Sequence, residues 1–144
     1  MHRPLLPTDR DLYVSLSKAF YNTDAVMKPV PEKHFHDTFD ELMRSDVYTF
    51  CRILEYEGSP AGYVLMSRTF SQEAGGMVIW VEEVYIIPEY RNKGLGTEFF
   101  SWLFETYPVS RYRLEVEPEN ESAVRLYEKL GFKFIPYGQM LKGI

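Results

Sequence analysis

Apolar side chains recur along the chain with two different periods, and the switches between them mark out helices and strands. Leu12, Leu16, Ala19 and Phe20 stand at helical spacing behind Thr8-Asp9-Arg10-Asp11. That tetrad has the form of a capping box, in which Thr8 accepts from the Asp11 amide and the Asp11 carboxylate reaches back, so a helix is predicted to start there. After the Lys28-Pro29-Val30-Pro31 break, a second helix is predicted to carry Phe35, Phe39, Leu42 and Met43 on one side. Val47 to Tyr56 and Ala61 to Arg68 are rich in aromatic and β-branched residues and flank Glu57-Gly58-Ser59-Pro60, the pattern of an antiparallel hairpin. A third strand is predicted from Met77 to Ile87, after Gly75-Gly76. It is apolar on both parities except at Glu82 and Glu83, as expected of a central strand covered on both faces. A bulge at the two carboxylates would turn a side chain out of the core and shift the alternation by one.

Phe99, Trp102, Leu103 and Thr106 restore the helical period from Gly96 to Tyr107, and Pro108 closes it. Tyr112, Leu114 and Val116 then alternate with Arg113, Glu115 and Glu117 as a half-buried strand should. A last helix is predicted from Asn120, a good N-cap, through Ala123, Leu126, Tyr127 and Leu130 to Gly131. Phe132 to Ile135 and Gln139 to Leu141 can form a closing hairpin around Pro136-Tyr137-Gly138. Strands alternating with helices predict an α/β fold with a mixed sheet, and the absence of a repeat or linker predicts one domain over 1–144.

Composition narrows the function classes. A chain of 144 residues, 45% apolar and 26% charged, is an ordinary globular domain rather than a disordered or fibrous one. Its longest apolar stretch, Ala74 to Val81, is far short of the ~18 residues of a membrane span, and no signal-peptide hydrophobic region follows Met1, so a soluble cytoplasmic protein is expected. The net charge of -5 supplies no overall field for nucleic acid or anionic lipid, so neither is an expected partner and any anion must be held locally. Cys51 lies in an apolar run and reads as a buried thiol. His34 and His36, two apart and without companion ligands, predict no metal site.

The segment richest in chemical information joins the third strand to the following helix: Pro88-Glu89-Tyr90-Arg91-Asn92-Lys93-Gly94-Leu95-Gly96-Thr97. The first amides of a helix have no intrahelical partner and the helix dipole is positive there, so small residues let a phosphate approach the backbone. Arg91 and Lys93 add positive charge to an acidic chain. A dinucleotide fingerprint would need glycine at Phe99, and a P-loop would need Lys just before its Ser or Thr, whereas Thr97 follows Gly96 directly. On the two glycines alone, a plain strand-to-helix turn explains the loop as well as a phosphate site does.

The strand end Val84-Tyr85-Ile86, the Arg91-Asn92-Lys93-Gly94-Leu95-Gly96 loop and Asn120-Glu121-Ser122-Ala123-Val124-Arg125-Leu126-Tyr127-Glu128-Lys129-Leu130-Gly131-Phe132 together resemble the GCN5-related N-acetyltransferase superfamily. The loop matches its Arg/Gln-x-x-Gly-x-Gly/Ala motif and the later segment its Asn-x-x-Ala-x-x-Leu-Tyr-x-x-x-Gly-Phe block. These motifs cover about Glu82 to Phe132, while the order of elements fits nearly the whole chain. The resemblance implies an acyl-CoA N-acyltransferase fold: a mostly antiparallel mixed sheet of six to seven strands with about four helices, splayed between strands four and five.

It further implies acetyl-CoA as cosubstrate, with its pyrophosphate on the amides of Arg91, Asn92, Lys93, Gly94, Leu95 and Gly96, joined by the Thr97 hydroxyl. The pantetheine would pair with the backbone of Val84, Tyr85 and Ile86, and Asn120 would contact the cofactor, a role compatible with capping the last helix. An alkyl amine of pKa ~10.4 is protonated at neutral pH, so attack on a thioester calls for a base. Glu82, and less favourably Glu83, stands where amine-acetylating members of the spermidine type carry an acidic residue. Tyr127 matches the family tyrosine that protonates the departing thiolate, and an amide near Ile86 would meet the thioester oxygen. The implied activity is acetyl transfer to a primary amine, with a non-catalytic acyl-CoA-binding module as the alternative. Dimerisation is common in the superfamily, and an aromatic content of 16% would supply an apolar interface for a homodimer.

Overall fold

The computed structural model describes every residue except Asp24, Ala25, Met27 and Ile144. Five strands, β1 (His2–Pro4), β2 (Thr49–Tyr56), β3 (Ser59–Ser71), β4 (Gly76–Ile86) and β5 (Arg111–Leu114), lie side by side in chain order. The first three pairings are antiparallel and β4–β5 is parallel. Among the described residues four helices accompany them: α1 (Arg10–Tyr21), α2 (Glu32–Arg44), α3 (Leu95–Thr106) and α4 (Glu121–Lys129). No helix among the described residues is long and apolar enough to cross a membrane.

Each sheet face has its own core. Tyr13, Leu16 and Phe20 of α1 and Phe39 of α2 pack with Cys51, Ile53, Tyr63, Leu65 and Tyr85 on one side. On the other, Phe99, Phe100 and Leu103 of α3 pack with Phe50, Leu54, Val64, Met66, Ile79 and Val81, and Tyr127 and Leu130 close over them. β4 is therefore covered on both faces, which is why its sequence is apolar on both parities. Burial drives the Cys51 thiol well above its ordinary pKa, so it is a packing group rather than a thiolate.

Several expected boundaries move. α1 begins not at a Thr8–Asp11 box but after a 3-10 turn over Pro7–Asp9, and the carboxylate that matters is Asp9. Asp9 accepts from the Leu6 amide at 2.7 Å and from Arg3 Nη1 and Nη2 at 2.7 and 3.1 Å. Arg3 in turn donates through Nε to Glu55 at 3.2 Å, and so fastens β1 to both α1 and β2. The β2–β3 hairpin turns on Glu57 and Gly58, both at positive φ, and Ser59 and Pro60 already belong to β3. The strand expected from Tyr112 to Val116 runs from Arg111 to Leu114. The closing hairpin expected over Phe132–Ile135 and Gln139–Leu141 does not form: no strand lies between 132 and 143, so the sheet has five strands rather than six to seven. Pro136 cannot donate to a ladder, and Phe134, Ile135, Tyr137, Met140 and Leu141 stand exposed.

Two irregularities position the site. In the β3–β4 register Leu65 faces Glu83 and Met66 faces Val81, so Glu82 is the extra residue of a bulge. Ile79 and Val81 point toward α3, and strict alternation would send Glu83 and Tyr85 after them. The bulge instead sends Val84 and Ile86 to that face and Tyr85 to the α1–α2 face. In addition, β5 pairs with β4 only over Val78–Val81, leaving the rest of β4 without a neighbour on that edge.

Candidate active site at the bulge and the splayed edge of β4

Glu83 sits below the surface of the α1–α2 side, held at both oxygens. Tyr63 Oη of β3 donates to Oε1 at 2.6 Å and Tyr21 Oη of α1 donates to Oε2 at 2.5 Å. Burial raises its carboxyl above the ordinary carboxylate range, the two tyrosine bonds pull it down, and neighbouring Glu82 pushes it up again. Glu82 is exposed and accepts from Ser67 Oγ at 2.6 Å. Ser67 and Tyr63 share a β3 parity, so both carboxylates address the same sheet face and differ in burial.

The opposite edge of β4 is open beyond Val81. Tyr63 opposes Tyr85, and the Ile87 amide donates to the Ala61 carbonyl at 2.8 Å, so residues 85 and 87 turn their backbone groups toward β3. By the same alternation Val84 and Ile86 turn theirs toward the gap left by β5. The Ile86 carbonyl is met there by Arg91 Nε at 2.9 Å. Of the three residues expected to pair with a pantetheine, Val84 and Ile86 present backbone groups to the gap, and Tyr85 does not.

At the end of this edge lies the glycine loop. Asn92 has φ +60° and Gly94 φ +79°, and Gly94 is the N-cap of α3. The Arg91 amide donates to Pro88 at 3.2 Å, but no backbone carbonyl among the described residues accepts from the amides of Asn92, Lys93, Gly94, Leu95, Gly96 or Thr97. Glu98 is the first to bond back, to Gly94 at 3.0 Å. Buried Leu95 anchors the helix start, whereas residues 91–94 and Thr97 are exposed. Lys93 Nζ lies 5.7 Å from the Tyr56 ring centroid, which keeps a cation beside these donors. A consecutive row of unused amides at a helix N-terminus fits the diphosphate of a CoA-type cosubstrate. Gly96 has a second role: a Cβ there would lie 3.1 Å from Leu126 Cδ2, so its absence lets α4 pack on α3.

α4 brings the remaining residues. Asn120 Oδ1 caps it by accepting from the Ala123 amide at 3.3 Å. Tyr127 is half-buried between Phe100 and Phe132, edge-on to both at 5.9 Å, and burial pushes its phenol up to about 12. It lines a groove of about 880 Å³ that runs between β5 and residues 131–139, with Trp80, Phe104 and Leu114 among the other walls. No residue of the glycine loop lines that groove. Glu83 and Tyr127 therefore stand on opposite faces of the sheet, with the opening between β4 and β5 separating them. Tyr21, Tyr63 and Gly62 were not anticipated. Tyr63 shares the inward parity of Leu65, but nothing in the local pattern links Tyr21 to a strand 62 positions later.

Comparisons with known proteins agree with the fold. The model of the acetyltransferase (GNAT) family matches residues 10–132. The chain is 25% identical over 132 residues to a spermine/spermidine N(1)-acetyltransferase of Bacillus subtilis, covering 86% of this chain and 78% of that protein. It is 36% identical over 81 residues to a thialysine N-epsilon-acetyltransferase of Mus musculus, covering 54% and 47%. In fold it is similar to a possible acetyltransferase from Clostridium difficile, with a TM-score of 0.82 at 19% identity over 100% and 97% of the two chains. An aminoglycoside N-acetyltransferase in complex with CoA superposes with a TM-score of 0.75 at 16% identity over 99% and 93%. With the family match spanning most of its length, the chain belongs to the acetyltransferase (GNAT) family and is an acetyl-CoA-dependent N-acetyltransferase.

Proposed function

We propose that the protein transfers the acetyl group of acetyl-CoA to a primary amine of a small cationic molecule, by direct attack in a ternary complex. The observation that carries this reading is Glu83, a half-buried carboxylate with raised proton affinity beside an opening in the sheet. An ammonium must lose a proton before its nitrogen can attack, and a carboxylate in a low-dielectric site is a better acceptor than one in water. Of the two candidate carboxylates, Glu83 is the base in this reading. Glu82, exposed and tied to Ser67, adds negative charge at the same face. Names of relatives that act on spermine, spermidine and thialysine support a cationic acceptor with more than one nitrogen.

The unused amides of Asn92 to Thr97 hold the diphosphate, and the backbone of Val84 and Ile86 orients the acyl arm in the gap beside β4. The phenol of Tyr127, raised by burial, remains protonated at neutral pH and delivers its proton to the departing sulfur. Base and acid on opposite faces suit a reaction in which the amine arrives from one side of the sheet and the thiolate leaves on the other.

The test is release of CoA thiol from acetyl-CoA with spermidine, spermine, thialysine, lysine and an aminoglycoside. Turnover with at least one of them is expected. Glu83→Gln should lower kcat by roughly 100-fold or more and Tyr127→Phe by a comparable factor, with CoA still bound by both. Because burial raises the Glu83 carboxyl, the wild-type rate should climb with pH through a midpoint above the ordinary carboxylate range, and Glu83→Gln should abolish that limb. Undiminished turnover in Glu83→Gln would remove it as base. Thermal stabilisation by CoA with no thiol release from the whole panel would make the protein an acyl-CoA-binding module instead.

A further inference from the structure

The two tyrosines that grip Glu83 are not equivalent. Tyr63 is fully enclosed at 0% exposure, packed against Tyr13 and Tyr85, and cannot withdraw without opening the core. Tyr21 is the last residue of α1, only half-buried, with its ring against Phe20 and Phe35. It also lines a cavity of about 220 Å³ together with Lys18, Asn22, Pro29, Val30 and Phe35. One donor is therefore enclosed at Oε1, while the donor at Oε2 is a half-buried residue that also borders a cavity.

We propose that Tyr63 and Tyr21 are positioning residues with different duties: Tyr63 holds Glu83 throughout, and Tyr21 keeps its place at Oε2 until the acceptor ammonium displaces it. This rests on Glu83 being the base. With the exchange made, an ammonium N–H donates to Oε2, the proton passes to the carboxylate, and the freed lone pair attacks the thioester carbonyl. Both tyrosines keep their protons, since burial and the adjacent carboxylate raise their phenols far above neutral. Until an amine arrives, the Tyr21 bond offsets part of the cost of a buried charge, so the empty site does not hold an uncompensated carboxylate. The groups facing Glu83 are Tyr13 and Tyr21 from α1, Cys51 from β2, Tyr63 from β3 and Glu82 from β4, with the apolar Phe35 of α2 behind Tyr21. Glu82 and Glu83 are the two carboxylates of this set.

The prediction separates the free enzyme from the loaded one. The pH dependence of kcat/KM reports the free enzyme and that of kcat the ternary complex. With spermidine as acceptor, Tyr21→Phe should move the acid limb of kcat/KM to higher pH and raise its plateau by up to about tenfold, because the free enzyme loses a bond to charged Glu83 that the ternary complex has already given up. Over the same range kcat should fall less than twofold. Tyr63→Phe should lower both. A purely structural role for Tyr21 would change thermal stability and leave the acid limb in place. A readout that needs no turnover is the carbon-13 titration of the Glu83 carboxyl in glutamate-labelled protein, assigned by its absence in Glu83→Gln. In acceptor-free protein Tyr21→Phe should move it to higher pH. An unmoved titration, or kcat and kcat/KM falling together in Tyr21→Phe, overturns the exchange. If Glu83→Gln turns over like wild type, the base assignment falls instead.

Discussion

At the scale of single residues, position 62 shows how little freedom the catalytic strand has. A Cβ on Gly62 would stand 2.0 Å from the Tyr85 carbonyl and 3.0 Å from Ile86 Cα, both backbone atoms that no rotamer change can move. Gly62→Ala should therefore cost about 1–3 kcal/mol in denaturant unfolding, the usual range for overpacking. Because the strand that must shift carries Val84 and Ile86, acetyl transfer should fall with it. A glycine inside an apolar strand signals a close backbone approach, yet the identity of the approaching atom lies on another strand and is invisible locally. The same limit governs Glu82 and Glu83. Their neighbours predict a bulge, but which one enters the protein depends on Tyr21, Ser67 and Tyr63, three residues from two other elements.

At the scale of elements, α3 illustrates what a sequence does disclose. Its glycine-loop start, where we propose that the diphosphate binds, was legible because glycines, cations and an N-terminus fall together in a few residues, and no distant contact is needed to form it. The two glycines do different things and should respond differently. Gly94 is left-handed with open space around it, so Gly94→Ala carries only the backbone penalty of about 1 kcal/mol. Gly96 is not left-handed, and the atom its methyl would meet is the end of a flexible leucine. Gly96→Ala should therefore change urea-unfolding stability by less than Gly94→Ala while weakening CoA binding in titration calorimetry, since the added methyl enters a helix end that the diphosphate must approach. Where an element depends on a partner, the reading failed. β5 stops at Leu114 although the alternation continues to Glu117, because β4 and β5 part company there. The hairpin expected beyond Phe132 has the right composition but finds no strand to pair with.

At the scale of the whole molecule, the N-terminal strand works as a strap. Three residues containing a proline gave no strand signal, and β1 exists because Arg3 lies opposite Ile53 and links Asp9 to Glu55. Arg3 is the first cause of the lowered Asp9 carboxyl, with the Leu6 amide assisting. A carboxyl depressed by folding contributes stability above its unfolded value of about 3.9 and loses it as pH falls through the folded one. Asp9→Asn should thus cost about 1–2 kcal/mol at neutral pH, shrinking toward nothing as thermal unfolding is followed below about pH 4. On the proposed reading, an acidic chain receives an anion because donors are gathered at one helix end, where Glu98 is paired with the Met1 amine, and because Glu82 and Glu83 lie on the α1–α2 side of the sheet.

That separation hangs on one surplus amino acid and the way it is absorbed. Leu65 and Met66 are adjacent in β3 while their partners Glu83 and Val81 are two apart in β4, so Glu82 is taken up without disturbing the strand on either side. Were it deleted, the ladder would close into regular pairing, with Val84, Tyr85 and Ile86 on the surfaces they already occupy. Were the strand ironed flat with Glu82 kept, every later position would exchange sides, Tyr85 swinging among the α3 aromatics and Glu83 carried into the greasy half of the molecule. For this strand, losing the residue is milder than losing the irregularity that hides it.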